Sequence, residues 1–127
     1  MSRRRRTDPR PALGGVALLV LAGCDEVPHH LRVVGGDPDL GRELVIAYGC
    51  PACHQLPEIG TVQGSVGPSL AGFGRRGYIA GRLPNRPEML TAWLRNPPAI
   101  DPQTAMPSLG VGEAEARHMA AFLYTLR

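Results

Sequence analysis

The chain has 127 residues with thirteen Pro, sixteen Gly, no Lys and a formal net charge of +3. Five of its fourteen Arg lie before residue 11, and from Cys24 onward nine Arg face ten acidic residues. The remainder is therefore close to neutral, which excludes a nucleic-acid-binding protein, because no basic stripe remains there. The length suits one compact domain, and the Pro and Gly content predicts short elements and many turns.

The first 23 residues have the pattern of a signal peptide. A basic stretch at 3–6 precedes an apolar run at 12–22, which is too short to cross a bilayer as a helix. Leu-Ala-Gly-Cys at 21–24 resembles the lipobox of bacterial lipoproteins, in which the Cys receives a lipid and signal peptidase II cuts before it. We therefore predict residues 1–23 as a signal peptide and Cys24 as lipidated. The alternative is an uncleaved short anchor with an incidental Cys.

Residues 24–36 are predicted as a lipidated tether. The twelve residues after Cys24 reach at most ~40 Å when fully extended. They include His29 and His30, to which the sequence assigns no role. Asp25 directly after the lipidated Cys resembles a signal for retention in the inner membrane. We therefore expect the domain at the periplasmic face of a bacterial membrane, with the inner membrane favoured.

The other two cysteines lie in Cys50-Pro51-Ala52-Cys53-His54, the attachment motif of c-type haem. Two thiols separated by two residues can form thioethers to both vinyl groups on one porphyrin edge, and the following His lies under the iron. A zinc site would need further ligands at suitable spacing, a thioredoxin-like site needs a βαβ setting, and a disulfide across two residues gains little. The motif predicts one covalent haem c on Cys50 and Cys53, with His54 as an iron ligand.

Three helices are predicted around this motif, so the fold class is all-α. The first covers about 37–49, where an Asp suited to N-capping precedes a Pro at the first helical position. The second covers about 87–95. The last covers about 113–126, where apolar residues recur at helical spacing. The stretches rich in Gly and Pro, at 56–86 and 96–112, are predicted as loops.

This order of helix, haem motif, loop, short helix, loop and final helix resembles a class I cytochrome c over nearly all of residues 37–127. The cytochrome c-prime bundle differs, because it carries its haem motif near the C-terminus. The resemblance implies three or more short helices wrapped around one haem. It also implies that Gly41 lets the first helix cross the last one closely, beside Met119 and Phe122.

The resemblance also implies the second iron ligand. Met106 lies in an Ala-Met-Pro loop about fifty residues after the haem motif, a position like that of the family's axial Met. Met119 falls on the apolar stripe of the last helix and Met89 within the second helix, so packing is favoured for both. Three His residues are less well placed, in the predicted tether or off the apolar stripe: His29, His30 and His118.

Three further haem contacts are implied by the resemblance. Gly-Pro-Ser-Leu at 67–70 is similar to the family's Gly-Pro-x-Leu segment, in which the carbonyl of Pro68 accepts the Nδ1–H of the iron-ligating His. Leu70 would pack on the haem face. A plain turn is the alternative for this segment. Trp93 either donates its indole N–H to a haem propionate or packs in the core.

Stretches of the C-terminal half are similar to one branch of the family over about 66–126. This branch comprises the cytochrome c domain fused to subunit II of some haem–copper terminal oxidases and its free lipoprotein relatives. The motifs that carry the similarity are Leu83-Pro84-Asn85-Arg86-Pro87-Glu88, Trp93-Leu94-Arg95-Asn96-Pro97, Asp101-Pro102 and Met106-Pro107. The expected partner is thus a terminal oxidase or another respiratory complex. A periplasmic dehydrogenase that donates electrons is the alternative.

Ligation by His54 and Met106 would leave no open position at the iron, so the resemblance implies an electron carrier rather than an enzyme. Its partners would be redox proteins, with neither nucleic acid nor a small-molecule substrate. Two other functions stay open. One is a haem peroxidase or gas sensor, which requires that Met106 does not bind iron. The other is an assembly subunit in which the haem only stabilises the fold.

Overall fold

A computed structural model describes residues 26–60 and 63–127. That part of the chain contains four α-helices: α1 (Pro38–Ala47), α2 (Pro87–Arg95), α3 (Pro97–Ile100) and α4 (Glu113–Thr125). It also contains two short antiparallel strands: β1 (Tyr78–Ile79) and β2 (Leu83–Pro84). Single 3-10 turns lie at His29–Leu31, Cys50–Ala52, Pro57–Ile59 and Phe73–Arg75. The predicted all-α class is confirmed.

Helix α1 begins and ends at signals that the sequence carries. The carboxylate of Asp37 accepts hydrogen bonds from the backbone N–H groups of the second and third helical residues, at 2.9 and 3.3 Å, and Pro38 occupies the first position. The helix ends at Ala47, because Gly49 has a φ of +73°, a left-handed conformation that favours Gly.

Helices α1 and α4 cross with almost no space between their backbones at Gly41. A Cβ at this position would lie 1.9 Å from the carbonyl oxygen of His118 and 3.0 Å from the Cβ of Phe122. The close crossing expected at Gly41 is therefore present. The backbone of His118 provides the nearest contact, and Phe122 lies beside it as expected; Met119, the other residue implied there, is 1% exposed and belongs to the core.

One hydrophobic core joins α1, α2 and α4 to the loops between them. Every residue of the predicted apolar stripe of the last helix is buried: Ala116, Met119, Ala120, Leu123 and Leu126. Met89, for which packing was favoured, is 39% exposed and therefore packs only in part. Within the described residues, no helix has the length and apolar character needed to span a bilayer.

Asn85 is a buried polar residue that ties the middle loop to α4. Its amide donates to the carbonyl oxygens of Phe73 (3.2 Å) and Arg76 (3.0 Å), and its Oδ1 accepts from the hydroxyl of Tyr124 (3.0 Å). Burial raises the pKa of the Tyr124 hydroxyl, so this group remains a donor at neutral pH. All three polar atoms therefore stay hydrogen-bonded inside the core, as buried polar groups require.

Helix α3 and the hairpin of β1 and β2 lie where the sequence predicts only loops. Helix α3 forms because the Asn96 side chain accepts the N–H of Ala99 (3.3 Å) and Pro97 follows at the first helical position. The strands β1 and β2 are joined by a turn with positive φ at Ala80 and Gly81. This turn was missed because Ala-Gly lacks the Asn or Asp that marks such hairpins in a sequence.

The segment that the sequence assigns to a tether is folded against the domain. Leu31 is 6% exposed and belongs to the core, and Val27 and Val33 pack against that core. The neighbouring His29 and His30 are exposed on the same turn. The hydrophobic core therefore extends to residues before the predicted start of the domain at residue 37.

A Gly41→Ala substitution tests the helix crossing. In an unhindered helix this change would stabilise the protein by about 1 kcal/mol, but here the added methyl must push apart two backbones. We expect the free energy of unfolding to fall by about 1–3 kcal/mol. The control is Gly77→Ala, since a Cβ at Gly77 has no neighbour within 4 Å. Denaturant unfolding of the holoprotein measures both, and equal stability of the two variants would contradict the crossing.

Candidate cofactor site

Cys50, Cys53 and His54 lie on one tight turn that follows α1. The carbonyl oxygen of Cys50 accepts the N–H groups of both Cys53 (3.2 Å) and His54 (3.0 Å), and Pro51 is buried at the second position. Residues i and i+3 of a 3-10 turn project from the same side. The turn therefore presents both thiols on one side, with the imidazole next to them.

Both cysteines are free thiols, Cys50 half-buried against the core and Cys53 exposed. Burial raises the pKa of the Cys50 thiol to about 11, so this thiol stays protonated at neutral pH. Because neither sulfur is joined in a disulfide, both can add to the vinyl groups of a porphyrin, each giving one thioether. The state of the two side chains therefore fits covalent haem attachment.

A backbone carbonyl orients the imidazole of His54. Its Nδ1 lies 2.7 Å from the carbonyl oxygen of Pro68. Because a carbonyl oxygen can only accept, Nδ1 carries the proton and the lone pair of Nε2 is left for a metal. The hydrogen bond that the resemblance implies between these two residues is thus present in the structure.

The segment that contains Gly67 and Leu70 runs along the same turn and fixes it from the other side. The N–H of Gly67 donates to the carbonyl of Cys53 (2.8 Å), and the N–H of Leu70 donates to the carbonyl of Gln55 (2.8 Å). Gly67 lies directly on the imidazole, since a Cβ there would be 2.4 Å from Cε1 of His54. Glycine at this position lets the backbone approach the ring.

Gln63 is a contact that sequence reasoning missed. Its Oε1 accepts the N–H of Leu56, and its Nε2 donates to the carbonyl oxygen of the same residue at 2.6 Å. Leu56 is fully buried two residues after His54. One side-chain amide therefore satisfies both backbone groups of a core residue. A Gln in a Gly-rich loop carries no sequence pattern that reveals this pairing.

Met106 lies in the loop between α3 and α4, half-buried against the core. The loop is shaped by Asp101, whose side chain accepts the N–H of Gln103 (3.1 Å) and whose carbonyl accepts the N–H of Thr104 (3.0 Å). The hydroxyl of Thr104 in turn accepts the N–H of Met106 (3.2 Å). A thioether sulfur is a donor that haem iron binds, and the role of Met106 as a ligand stays a prediction.

The remaining candidate residues lie in or against the same core. Trp93 is 6% exposed and belongs to the core. Leu70 is half-buried against the core. Their contacts with haem remain predictions. The lipidation site, Cys24, lies outside the described residues.

These residues together fit a covalently bound haem. They supply two free thiols, an imidazole with a fixed tautomer and a thioether at the border of an apolar core. A site for a bare metal ion is a poorer match, because the described residues contain no group of three or more His, Cys, Asp or Glu placed to hold one.

Comparisons with known proteins agree with this geometry. Residues 38–127 match the model of the family described as Cytochrome c. The chain is similar to cytochrome c oxidase subunit 2 of Alkalihalophilus pseudofirmus, with 33% identity over 88 residues, which cover 68% of this chain. The match covers 25% of the relative, so the chain spans about a quarter of the length of that curated relative.

The substitution Gly67→Ala tests whether the backbone holds the imidazole. The added methyl would overlap Cε1 and Nδ1 of His54, at 2.4 and 2.6 Å, so the ring must turn away from the Pro68 carbonyl. We expect a loss of about 1–3 kcal/mol in the free energy of unfolding, together with a shift of the haem midpoint potential. Potentiometric titration beside the Gly77→Ala control measures the shift. An unchanged potential would contradict the contact.

Proposed function

The chain belongs to the cytochrome c family, and from this premise we propose that it is a membrane-tethered carrier of single electrons in a respiratory chain, passing them to or within a terminal oxidase. Covalent haem c on Cys50 and Cys53 and a role in electron transfer come with the family. The axial ligand pair, the tether, the location and the partner are the content of the proposal.

The observation that carries the electron-carrier role is the fixed imidazole of His54. Its Nδ1–H donates to Pro68 at 2.7 Å, which prevents rotation of the ring and raises the basicity of Nε2 as a ligand. When bound, haem supplies a one-electron iron couple. His54 and Met106 would together hold the iron, and a thioether ligand would raise the potential of that couple. Such a site exchanges electrons and has no position at which a substrate binds iron.

The environment of the site supports the same role. Cys50 and Leu70 are half-buried against an apolar core, and Trp93 forms part of it. Apolar surroundings exclude water and disfavour the extra charge of the oxidised iron. These surroundings therefore favour the ferrous iron and raise the midpoint potential, which suits a donor to a high-potential acceptor.

The proposed partner rests on similarity to a terminal oxidase subunit. The matching stretch of 88 residues is about as long as the region that matches the family, 38–127, and the relative is named cytochrome c oxidase subunit 2. We propose that this chain supplies electrons to an oxidase, either as a separate carrier or as part of the complex.

The proposed location rests on the N-terminal sequence. The lipobox-like Leu-Ala-Gly-Cys at 21–24 would place two acyl chains on Cys24, which is enough for stable anchoring. Export would precede haem attachment and leave the domain at the periplasmic face of a bacterial membrane, the inner one if Asp25 acts as a retention signal.

A Met106→Ala substitution tests the proposed ligand pair. We expect that the native ferrous protein does not bind carbon monoxide. Its ferric form should show the weak far-red absorption band of Met–iron ligation. The variant loses that band and binds carbon monoxide, because one axial position opens. The control is Met89→Ala, which removes a partly exposed thioether on α2 and leaves both properties unchanged. Carbon monoxide binding by the native protein would instead favour a peroxidase or gas sensor.

A Cys24→Ala variant tests the tether. With a near-neutral surface, long-range steering toward a partner is weak, so proximity must come from the membrane. We expect haem oxidation by partner membranes to fall by about 100-fold or more at low protein concentration, because the effective concentration supplied by the anchor is lost. The lipidated protein should show little dependence on salt. Equal rates for the two forms would contradict the proposal.

A further inference from the structure

The N-terminal segment, residues 26–36, is attached to the domain through its apolar side chains. Leu31 is 6% exposed in the core, with Val27 and Val33 packed against the core on either side of it in the sequence. The N–H of Leu31 donates to the carbonyl of Pro28 at 2.9 Å and closes a 3-10 turn. The side chains that would have to enter water if this segment detached are therefore all hydrophobic.

Helix α4 holds the other end of the same segment. A Cβ on Gly36 would lie 2.8 Å from both the Cβ of Ala121 and the carbonyl oxygen of Arg117, so the backbones are in contact there. One residue later, the N–H of Asp37 donates to Nδ1 of His118 at 2.9 Å. The N-terminal segment therefore moves with the domain and does not act as a free linker.

Because this segment is attached to the domain, only a short length of chain separates a lipid on Cys24 from the folded domain. Only two residues separate Cys24 from Val27, and three residue steps span about 10 Å at most, against ~40 Å for the freely extended tether. A lipid on Cys24 would thus bring the surface around Val27 to the headgroups of the bilayer. This step rests on the lipid anchor of the proposed function.

One exposed apolar side chain of the same segment indicates which side would face the lipid. Val34 is 91% exposed on the turn closed by the hydrogen bond from Gly36 N–H to Val33 O (3.1 Å), the largest exposed fraction of any large hydrophobic residue in 26–60 and 63–127. The haem-binding turn begins beyond the opposite end of α1, whose ten residues rise about 15 Å. Val34 and the Cys50–His54 turn therefore follow from opposite ends of α1.

We propose that the N-terminal segment docks the lipid-anchored domain on the bilayer in one orientation, with Val34 at the lipid surface and the Cys50–His54 turn directed away from it. The partner of this surface is the lipid bilayer itself. A redox partner then meets the haem from the aqueous side, at the end of α1 that is farther from the N-terminal segment.

Two exposed valines allow a matched test of orientation. Val34 is 91% exposed in the N-terminal segment, and Val66 is 81% exposed beside Gly67, which contacts the haem-binding turn. In the holoprotein the native cysteines are bound to haem or lipid, so a nitroxide reacts only with Val34→Cys or Val66→Cys. Lipidated protein is placed in phosphatidylethanolamine–phosphatidylglycerol vesicles. The spin label then reports collisions with lipid-soluble oxygen and with a water-soluble nickel complex.

We expect the oxygen-to-nickel collision ratio to be several-fold higher for the label at Val34 than for the label at Val66. A six-residue Gly-Ser insertion between Glu26 and Val27 should lower the ratio at Val34 to the value at Val66, because the domain regains free rotation. If the ratio at Val34 is unchanged in the insertion variant, the short link between Cys24 and Val27 does not fix the orientation, and the proposal is overturned.

Other outcomes separate this inference from the proposed function. Protein that does not float with the vesicles lacks the lipid anchor, and both proposals then fail. Protein that floats but gives equal ratios at Val34 and Val66 is anchored without a fixed orientation, which overturns the docking alone. Protection of Val34 from both collision reagents would indicate contact with a second copy of the chain and would also overturn the lipid surface as the partner.

Discussion

The placement of the haem-binding turn depends on the crossing of α1 and α4. Because Gly41 brings the α1 backbone against the carbonyl of His118, α1 cannot slide along α4, and its C-terminal end has a fixed position. The hydroxyl of Tyr48 donates to Glu115 at 2.7 Å at that end, a bond that raises the pKa of the phenol and lowers that of the carboxyl. Cys50 follows after one further residue, so the turn that carries the haem ligands takes its position from this helix pair.

The turn is then restrained from a second side by a loop that is far from either helix in sequence. Backbone groups of Gly67 and Pro68 hold Cys53 and His54, and the amide of Gln63 holds Leu56. An iron ligand fixed by two separate parts of the chain would move little when the oxidation state of a bound haem changes. This is what an electron carrier needs, because a site that does not rearrange exchanges electrons without a structural cost.

The parts of this structure that could be predicted are those with local signals. The bounds of α2 agree with the prediction, because Pro87 at the first helical position and the Asn-Pro pair after Arg95 act through neighbouring backbone groups alone. The pairing of Gln63 and the burial of Leu31 could not be predicted. Both depend on contacts with residues distant in sequence, and the apolar residues around Leu31 follow neither a helical nor a strand period.

The near-neutral charge gives a reason why the proposed orientation on a membrane would help this protein to meet a partner. Several of its surface charges are paired locally, for example Arg82 with Asp101 at 3.4 Å and Arg95 with Glu113 at 3.7 Å, and such exposed pairs add little stability. Paired charges also leave a weak long-range field, so electrostatic steering cannot select the surface that meets a partner. A domain already oriented by its anchor loses less rotational freedom at each encounter. If the domain docks as proposed, the membrane determines which surface meets a partner, as electrostatic steering does in freely diffusing carriers.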